Sequence, residues 1–310
     1  MTDINAYLEG WNPDAVSASD PMDPRSAQAL AKVLESPGHQ FDAGHELPPL
    51  WQWVHFLDWP ANGELGADGH PVAGHFLPPI PDRRRMFAGG RSHHHAPLLL
   101  GRAAERTSRV VGTEVKQGSS GQLAFVTVRS EFHQNGTLRL VEEQDLVYRS
   151  GESQAKQSAV SDSGKSESNR KSGDSGQSEQ ARTSGKAGEL PTSAASWQER
   201  FSADPTRLFR FSALTANAHR IHYDEPYARG VESYPGLVVH GPLLTLLMSE
   251  LARRSSPERR VASVDFRLKS PVFARQPVLI TGEPDGSDAV STSVLTGSER
   301  TAASAQVTFA

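Results

Sequence analysis

The sequence predicts an α+β protein in which antiparallel sheets wrap around buried helices, and three observations carry that expectation. First, a helix begins near Gly241: Pro242 fits a first turn, where its missing N–H costs nothing, and Leu243, Leu244, Leu246, Leu247, Met248 and Leu251 are apolar nearly all round. Arg253-Arg254 suits its C-terminus, which makes a buried helix of about three turns whose first amides are free to meet a ligand oxygen. Second, Val261 to Lys269, Val278 to Glu283, Ala289 to Thr296 and Thr301 to Phe309 read as strands, rich in Val, Thr and Phe and broken by Pro271, Pro277 and the turn Pro284-Asp285-Gly286-Ser287. Third, the first half of the chain follows the same order, helix and then strands, without visible sequence identity to the second.

From the N-terminus, Asp23-Pro24 opens a helix from Arg25 to Leu34, with Ala27, Leu30, Ala31 and Leu34 on one face. Residues 47–57, opening on Pro48-Pro49 and continuing through Trp51, Trp53 and Phe56, are expected to form the counterpart of the buried helix. Residues 60–97 read as a long loop of Gly, Pro and His around the basic run 83–91, a plausible ligand cover because long ordered loops are often functional. Ala104 to Val115, Leu123 to His133 and Leu138 to Tyr148 read as three strands, the second alternating Ala124, Val126, Val128.

Between the halves, residues 150–196 are almost entirely Ser, Gly, Lys, Glu, Gln, Asn and Ala. Such a segment cannot offset its own ordering entropy, so a disordered linker is expected. The division is therefore 1–149, linker 150–196, and 197–310.

Composition narrows the function classes. With 310 residues the chain is long enough for two ordinary domains, and a net charge of −4 suggests neither nucleic acid nor an anionic membrane as partner. The absence of cysteine excludes disulfides, thiolate metal sites and a Cys nucleophile, and fits a reducing compartment. Without a signal-like start or a long apolar run, the expectation is a cytoplasmic protein. His93-His94-His95 would place neighbouring imidazoles on opposite faces of a strand, a poor chelator, so no metal or other cofactor is expected.

The chemistry concentrates in residues 211–249. Asn217 to Tyr227 reads as a polar surface loop. It overlaps Thr215-Ala216-Asn217-Ala218-His219-Arg220-Ile221-His222-Tyr223-Asp224, after which Val239-His240-Gly241 opens the buried helix, and Phe266-Arg267-Leu268-Lys269-Ser270-Pro271-Val272-Phe273 follows. In this order and spacing they resemble the hydratase motif of MaoC-like hot-dog enzymes, closest to the subgroup of type 2 3-hydroxyacyl-thioester dehydratases and mesaconyl-C4-CoA hydratases. The resemblance covers 205–310 well and 25–150 more loosely. It implies a double hot-dog, two antiparallel sheets each wrapped around a central helix. The first half would be a degenerate MaoC-like domain and the second the catalytic one, a pseudo-dimer within the chain that can pair again as a homodimer.

The activity it implies is reversible hydration of 2-enoyl thioesters to 3-hydroxyacyl thioesters of CoA or acyl carrier protein, in fatty acid metabolism. That reaction needs a positioned water, a proton-transfer group and donors on the thioester oxygen. An imidazole titrates near working pH, so His222 is the candidate for proton transfer, although it could only brace the loop backbone. By resemblance Asn217, where the broader family has Asp, orients the water; the alternative is a turn residue. Gly241 would give its N–H to the thioester oxygen or simply permit close packing, and Ser249 would set a hydroxyl near the water or bond its own helix. Arg220, Tyr223, Asp224, His240 and Arg91 are the candidate substrate-binding residues, with Arg220 or Arg229 available for a second substrate carboxylate. Two rivals stay open: a hot-dog thioesterase using Glu250, the only acid on the helix, and a catalytically silent acyl-thioester binder, motivated by Asn217.

Overall fold

The computed structural model describes residues 3–36, 41–74, 76–81, 83–118, 121–150, 190–297 and 300–310. Most of the expected linker, 151–189, lies outside them.

One ten-stranded antiparallel sheet organises the protein, in the order β1-β3-β4-β5-β2-β7-β10-β9-β8-β6. The first five strands are β1 (Val16–Asp20), β2 (Arg83–His94), β3 (Ala104–Gly118), β4 (Gly121–Gln134) and β5 (Thr137–Ser150). The second five are β6 (Trp197–Phe201), β7 (Val261–Leu268), β8 (Val278–Asp285), β9 (Ala289–Thr296) and β10 (Thr301–Phe309). Within each half the strands run in the same relative order, and the halves meet where β2 pairs antiparallel with β7, Gly89 to His93 against Arg267 to Ser263.

The helices are α1 (Asn5–Leu8), α2 (Pro24–Leu34), α3 (Pro205–Leu214), α4 (Glu225–Gly230) and α5 (Gly241–Ser255). Three share one start: Asp23, Asp204 and Asp224 accept the backbone N–H of Arg25, Arg207 and Tyr227, satisfying an otherwise orphaned amide, and a proline sits in each first turn. Helix α2 buries Ala27, Leu30, Ala31 and Leu34 as the spacing predicts, together with Val33. In α5 every side chain from Leu243 to Ala252 is buried, so the sheet wraps it on most sides.

Two sequence expectations are corrected. Residues 47–57 form no long helix: Trp51–Val54 is a single 3-10 turn, entered through Leu50 at φ 70 and left before Phe56 at φ 53. Pro48-Pro49 and two left-handed residues forbid helical continuation, yet Trp51, Val54 and Phe56 are buried all the same. The basic run within 60–97 is a strand rather than a loop, and it is the strand that joins the halves. Gly89 and Gly90 made it look irregular. A Cβ at either position would sit 2.5 Å from a carbonyl of a neighbouring strand, so these glycines let β5 and β7 close in on both sides.

Candidate active site

The polar loop is built from the end of α3. Thr215 Oγ1 donates back to the Phe211 carbonyl at 2.8 Å, Ala216 takes a left-handed φ of 50, and the Asn217 N–H donates to the Ser212 carbonyl at 2.9 Å. Asn217 Oδ1 then accepts the His219 N–H at 3.0 Å, so its carbonyl end holds the loop while its NH2 group makes no bond among the described residues. A 3-10 turn, Arg220–His222, follows, and Asp224 caps α4. The strand-like piece before α5 locks against this turn, with the Val238 N–H donating to the Ile221 carbonyl and the Val239 N–H to the Val272 carbonyl.

Three imidazoles meet here. His222 is buried, and its Nδ1 lies 2.8 Å from the Val238 carbonyl, which can only accept; Nδ1 therefore carries the proton and Nε2 keeps its lone pair. Burial pushes its pKa down to about 4, so the ring is neutral at working pH. His240 stacks on it with centroids 3.6 Å apart at 18°, its Nε2 is 2.9 Å from Ser212 Oγ, and its Nδ1 is buried without a partner. Burial again, helped by the neighbouring His222 and His219 rings, which disfavour a further positive charge, holds His240 well below the usual imidazole range. His219 sits edge-on to His222 at 5.6 Å, its pKa pushed down to about 2, first by burial and then by nearby His70.

The helix start completes the site. Gly241 is the first residue of α5, and its N–H has no partner among the described residues. A Cβ there would fall 2.2 Å from Leu268 Cδ1, so close packing asks for glycine at the same position that leaves its amide unpartnered. Further along, the Ser249 hydroxyl is fully buried with no partner, and so does not bond its own helix; Thr245, which does donate to the Gly241 carbonyl, lies between. An orphaned buried hydroxyl is a group that waits for something.

The first half contributes a cover over the polar loop. Residues 61–74 fold into a small hairpin, with a Leu65–Pro71 bridge and the Val72 N–H donating to the Glu64 carbonyl. Its tip docks on the polar loop: the Arg220 N–H donates to the Asp68 carbonyl at 2.8 Å, and Arg220 NH1 to that of Ala67 at 2.9 Å. Gly69, at φ +90, is required there, because a Cβ would lie 1.9 Å from the Ala218 carbonyl oxygen. His70 packs on His219 at 4.1 Å, and its Nδ1 is 3.0 Å from Asp68 Oδ2. Burial opposes the Asp68 charge, but hydrogen bonds from the His70 ring and backbone outweigh it and bring the carboxyl down to about 2. Asp68, His70 and His219 each place a possible metal-ligand atom within 4.8 Å of the others, though the first two already bond each other.

Other sequence candidates take structural positions. Arg220 donates twice to Asp224 Oδ2, at 3.0 and 2.7 Å, and lies over the Tyr227 ring; Tyr223 Oη donates to the Ala218 carbonyl. Asp224 caps α4 and touches no imidazole. Arg229 pairs with Glu225. Arg91, adjacent to buried Ser92 and so on the opposite face of β2, is held by Glu143 at 2.6 Å and Asp145 at 3.2 Å. Glu250 is buried and committed to Arg253 and the Trp51 indole N–H. His94 points to Ser92 while His93 and His95 are exposed. Sequence reading missed Asp68, His70 and Ser212, because they reach the site only through tertiary docking.

The solved structures agree on the architecture. A MaoC-like dehydratase from Phytophthora capsici matches with a TM-score of 0.65 over 100% of this chain and 99% of its own, at 12% identity. HtdX of Mycobacterium tuberculosis matches at 0.59 over 95% and 99%, also at 12%. The class is thus the MaoC-like hot-dog fold, with a cluster of buried imidazoles at the start of one central helix.

Sequence relatives sharpen it. Residues 50–274 match the family described as hydroxyacyl-thioester dehydratase type 2. A mesaconyl-C(4)-CoA hydratase of Chloroflexus aurantiacus is 41% identical over 260 residues, 84% of this chain and 83% of that protein. A mitochondrial hydroxyacyl-thioester dehydratase type 2 of Schizosaccharomyces pombe is 44% identical over 82 residues, 26% of this chain and 27% of its own. The chain belongs to the hydroxyacyl-thioester dehydratase type 2 family.

Proposed function

We propose that the protein is a hydro-lyase that hydrates 2-enoyl thioesters and dehydrates 3-hydroxyacyl thioesters, with His222 moving the protons. The observation that carries this reading is the His222 tautomer: Nδ1–H is spent on the Val238 carbonyl, which leaves a buried Nε2 lone pair as base.

In the hydration direction, Nε2 takes a proton from water as its oxygen bonds the β-carbon. Negative charge develops on the thioester oxygen, where the free Gly241 N–H and the positive end of α5 meet it. That charge also raises the basicity of the imidazole, which burial had lowered. The imidazolium then returns its proton to the α-carbon, so water is added across the double bond with no net proton change. The Asn217 NH2 and the Ser249 hydroxyl have no competing partners and orient the water.

The same proposal covers the organisation around the site. Residues 1–149 supply the lid and acyl wall, 197–310 the chemistry, and 150–196 tether them; the protein works in the cytoplasm in fatty acid metabolism on CoA or carrier thioesters, and associates as a homodimer. Among the described residues no helix is long and apolar enough to cross a membrane. The thioesterase alternative loses its residue, because Arg253 and Trp51 occupy the Glu250 carboxylate.

Absorbance of the enoyl-thioester band, followed with crotonyl-CoA and mesaconyl-C4-CoA, tests the assignment. Native protein should hydrate at least one of them and His222→Ala should lose roughly 10²-fold or more. Release of free thiol, or a native chain that leaves both double bonds intact, would overturn it.

A further inference from the structure

Three arginines open β2, and they have different employment. Arg83 donates to the Val72 carbonyl and so holds the lid. Arg84 pairs at 3.1 Å with Glu232, which also accepts from the Tyr227 hydroxyl, and so holds the catalytic half. Arg85 follows directly, half-buried, and among the described residues nothing accepts a hydrogen bond from it or pairs with its charge.

Directly across on β5 stands Tyr148. Opposed residues of an antiparallel pair share a face, here the one on which Phe87 packs against Trp53 and Phe266 and also against the cluster of Ile4, Ile80 and Leu146 that holds Tyr148. Tyr148 is fully buried and its hydroxyl has no partner. With Arg83 bonded to the covering hairpin at Val72 and Arg84 to Glu232 of the second half, Arg85 lies on the strand where the hairpin and the second half meet.

A half-buried guanidinium lacking an anion, beside a buried hydroxyl lacking an acceptor, is the donor set that receives a carboxylate. The other arginines suited to that task are taken, Arg220 by Asp224 and Arg229 by Glu225. We propose that Arg85, assisted by the Tyr148 hydroxyl, binds a second carboxylate carried by the acyl group, and so selects dicarboxylic acyl thioesters. The inference rests on the hydratase reading for the position of the acyl group. It assigns the first half a role in specificity through one named charge.

The test compares the full chain with Arg85→Gln for binding of succinyl-CoA and butyryl-CoA, equal in acyl length and differing in the terminal carboxylate. Hydration of mesaconyl-C4-CoA and crotonyl-CoA is measured alongside. The full chain should hold succinyl-CoA at least about tenfold tighter than butyryl-CoA, the range of a hydrogen bond to a charged group. Arg85→Gln should erase that preference while leaving butyryl-CoA within about threefold, and lose hydration of the carboxylated substrate selectively. Arg85→Lys, which keeps the charge but not the fork, should keep part of the preference and serves if the Gln variant does not fold. A full chain without preference overturns the proposal, as does an equal loss for both thioesters, which would assign Arg85 to a CoA phosphate. Binding is read without turnover, so a chain that hydrates nothing would sink the hydratase reading while the carboxylate preference is still decided.

Discussion

The two halves share a strand order and differ in what fills the concave face. In the second half a 15-residue helix enters that face with a free amide at Gly241, two stacked imidazoles at its start and an orphaned hydroxyl at Ser249. In the first half a 3-10 turn of four residues enters instead, and its groups are spoken for: Trp53 and Gln52 donate to Glu142, and Trp51 reaches across to Glu250. Identical topology therefore does not specify chemistry. What separates the halves is the element that enters the concave face: a full helix with an unpartnered first amide in one, a short turn committed to its neighbours in the other.

Removing the reactive half's base is the strongest way to break the contrast. His222→Ala should cost roughly 10²-fold or more in kcat, read from loss of the enoyl absorbance.

The next test uses pH. The folded pKa of His222 is lowered to about 4 and burial holds that of His240 well below the usual imidazole range, while the unfolded value is near 6.5. Between those values the unfolded chain binds more protons, so stability is fully present above about pH 6.5 and is lost as pH falls, by up to about 1.4 kcal/mol per unit for each imidazole. His94 in the supporting half, lowered to about 4, adds to the slope. His222→Gln should flatten it in urea unfolding series between pH 6.5 and 4.

Gly69→Ala attacks the meeting of the halves. With a Cβ 1.9 Å from the Ala218 oxygen and φ +90, the lid cannot dock unstrained, at a cost of about 1–3 kcal/mol. KM should rise and protease should cut within 61–74 sooner; an unchanged KM would show that the lid does not cover bound substrate.

Glu250→Gln should lower stability by about 1–2 kcal/mol, discounted because Arg253 is partly exposed, yet leave hydration intact and release no thiol. The smallest effect belongs to Arg91→Gln: its two carboxylate partners lie on the far face, so hydration should stay within about twofold and unfolding stability should fall by about 1 kcal/mol or less. A larger loss of activity would return Arg91 to the site.

The second half was largely legible because its pattern is local. Apolar residues all round α5, and alternation along β7, β9 and β10, encode burial within a few residues of each position. Asp204-Pro205 repeats the Asp23-Pro24 helix start and could have identified α3 by the same reasoning. The first half hid more. Strand β2 reads as Arg and Gly because its edges needed close approach rather than side chains, and residues 47–57 carry helix-like apolarity that left-handed backbone cuts short. His222 and Gly241 stood out through motif spacing, whereas Asp68 and His70 come from 149 or more positions away and no periodicity links them to His219.

That the lid hairpin and Arg85 belong to the half without the catalytic loop has a consequence for descent. Positions of 61–74 and of the start of β2 that carry no docking contact, unlike Asp68, Gly69 and Arg84, can vary while His222, Gly241 and Ser249 stay as they are. Lineages built on this plan can vary the cover over a constant cluster of imidazoles, and divergence among them should be sought first in the half that lacks that cluster.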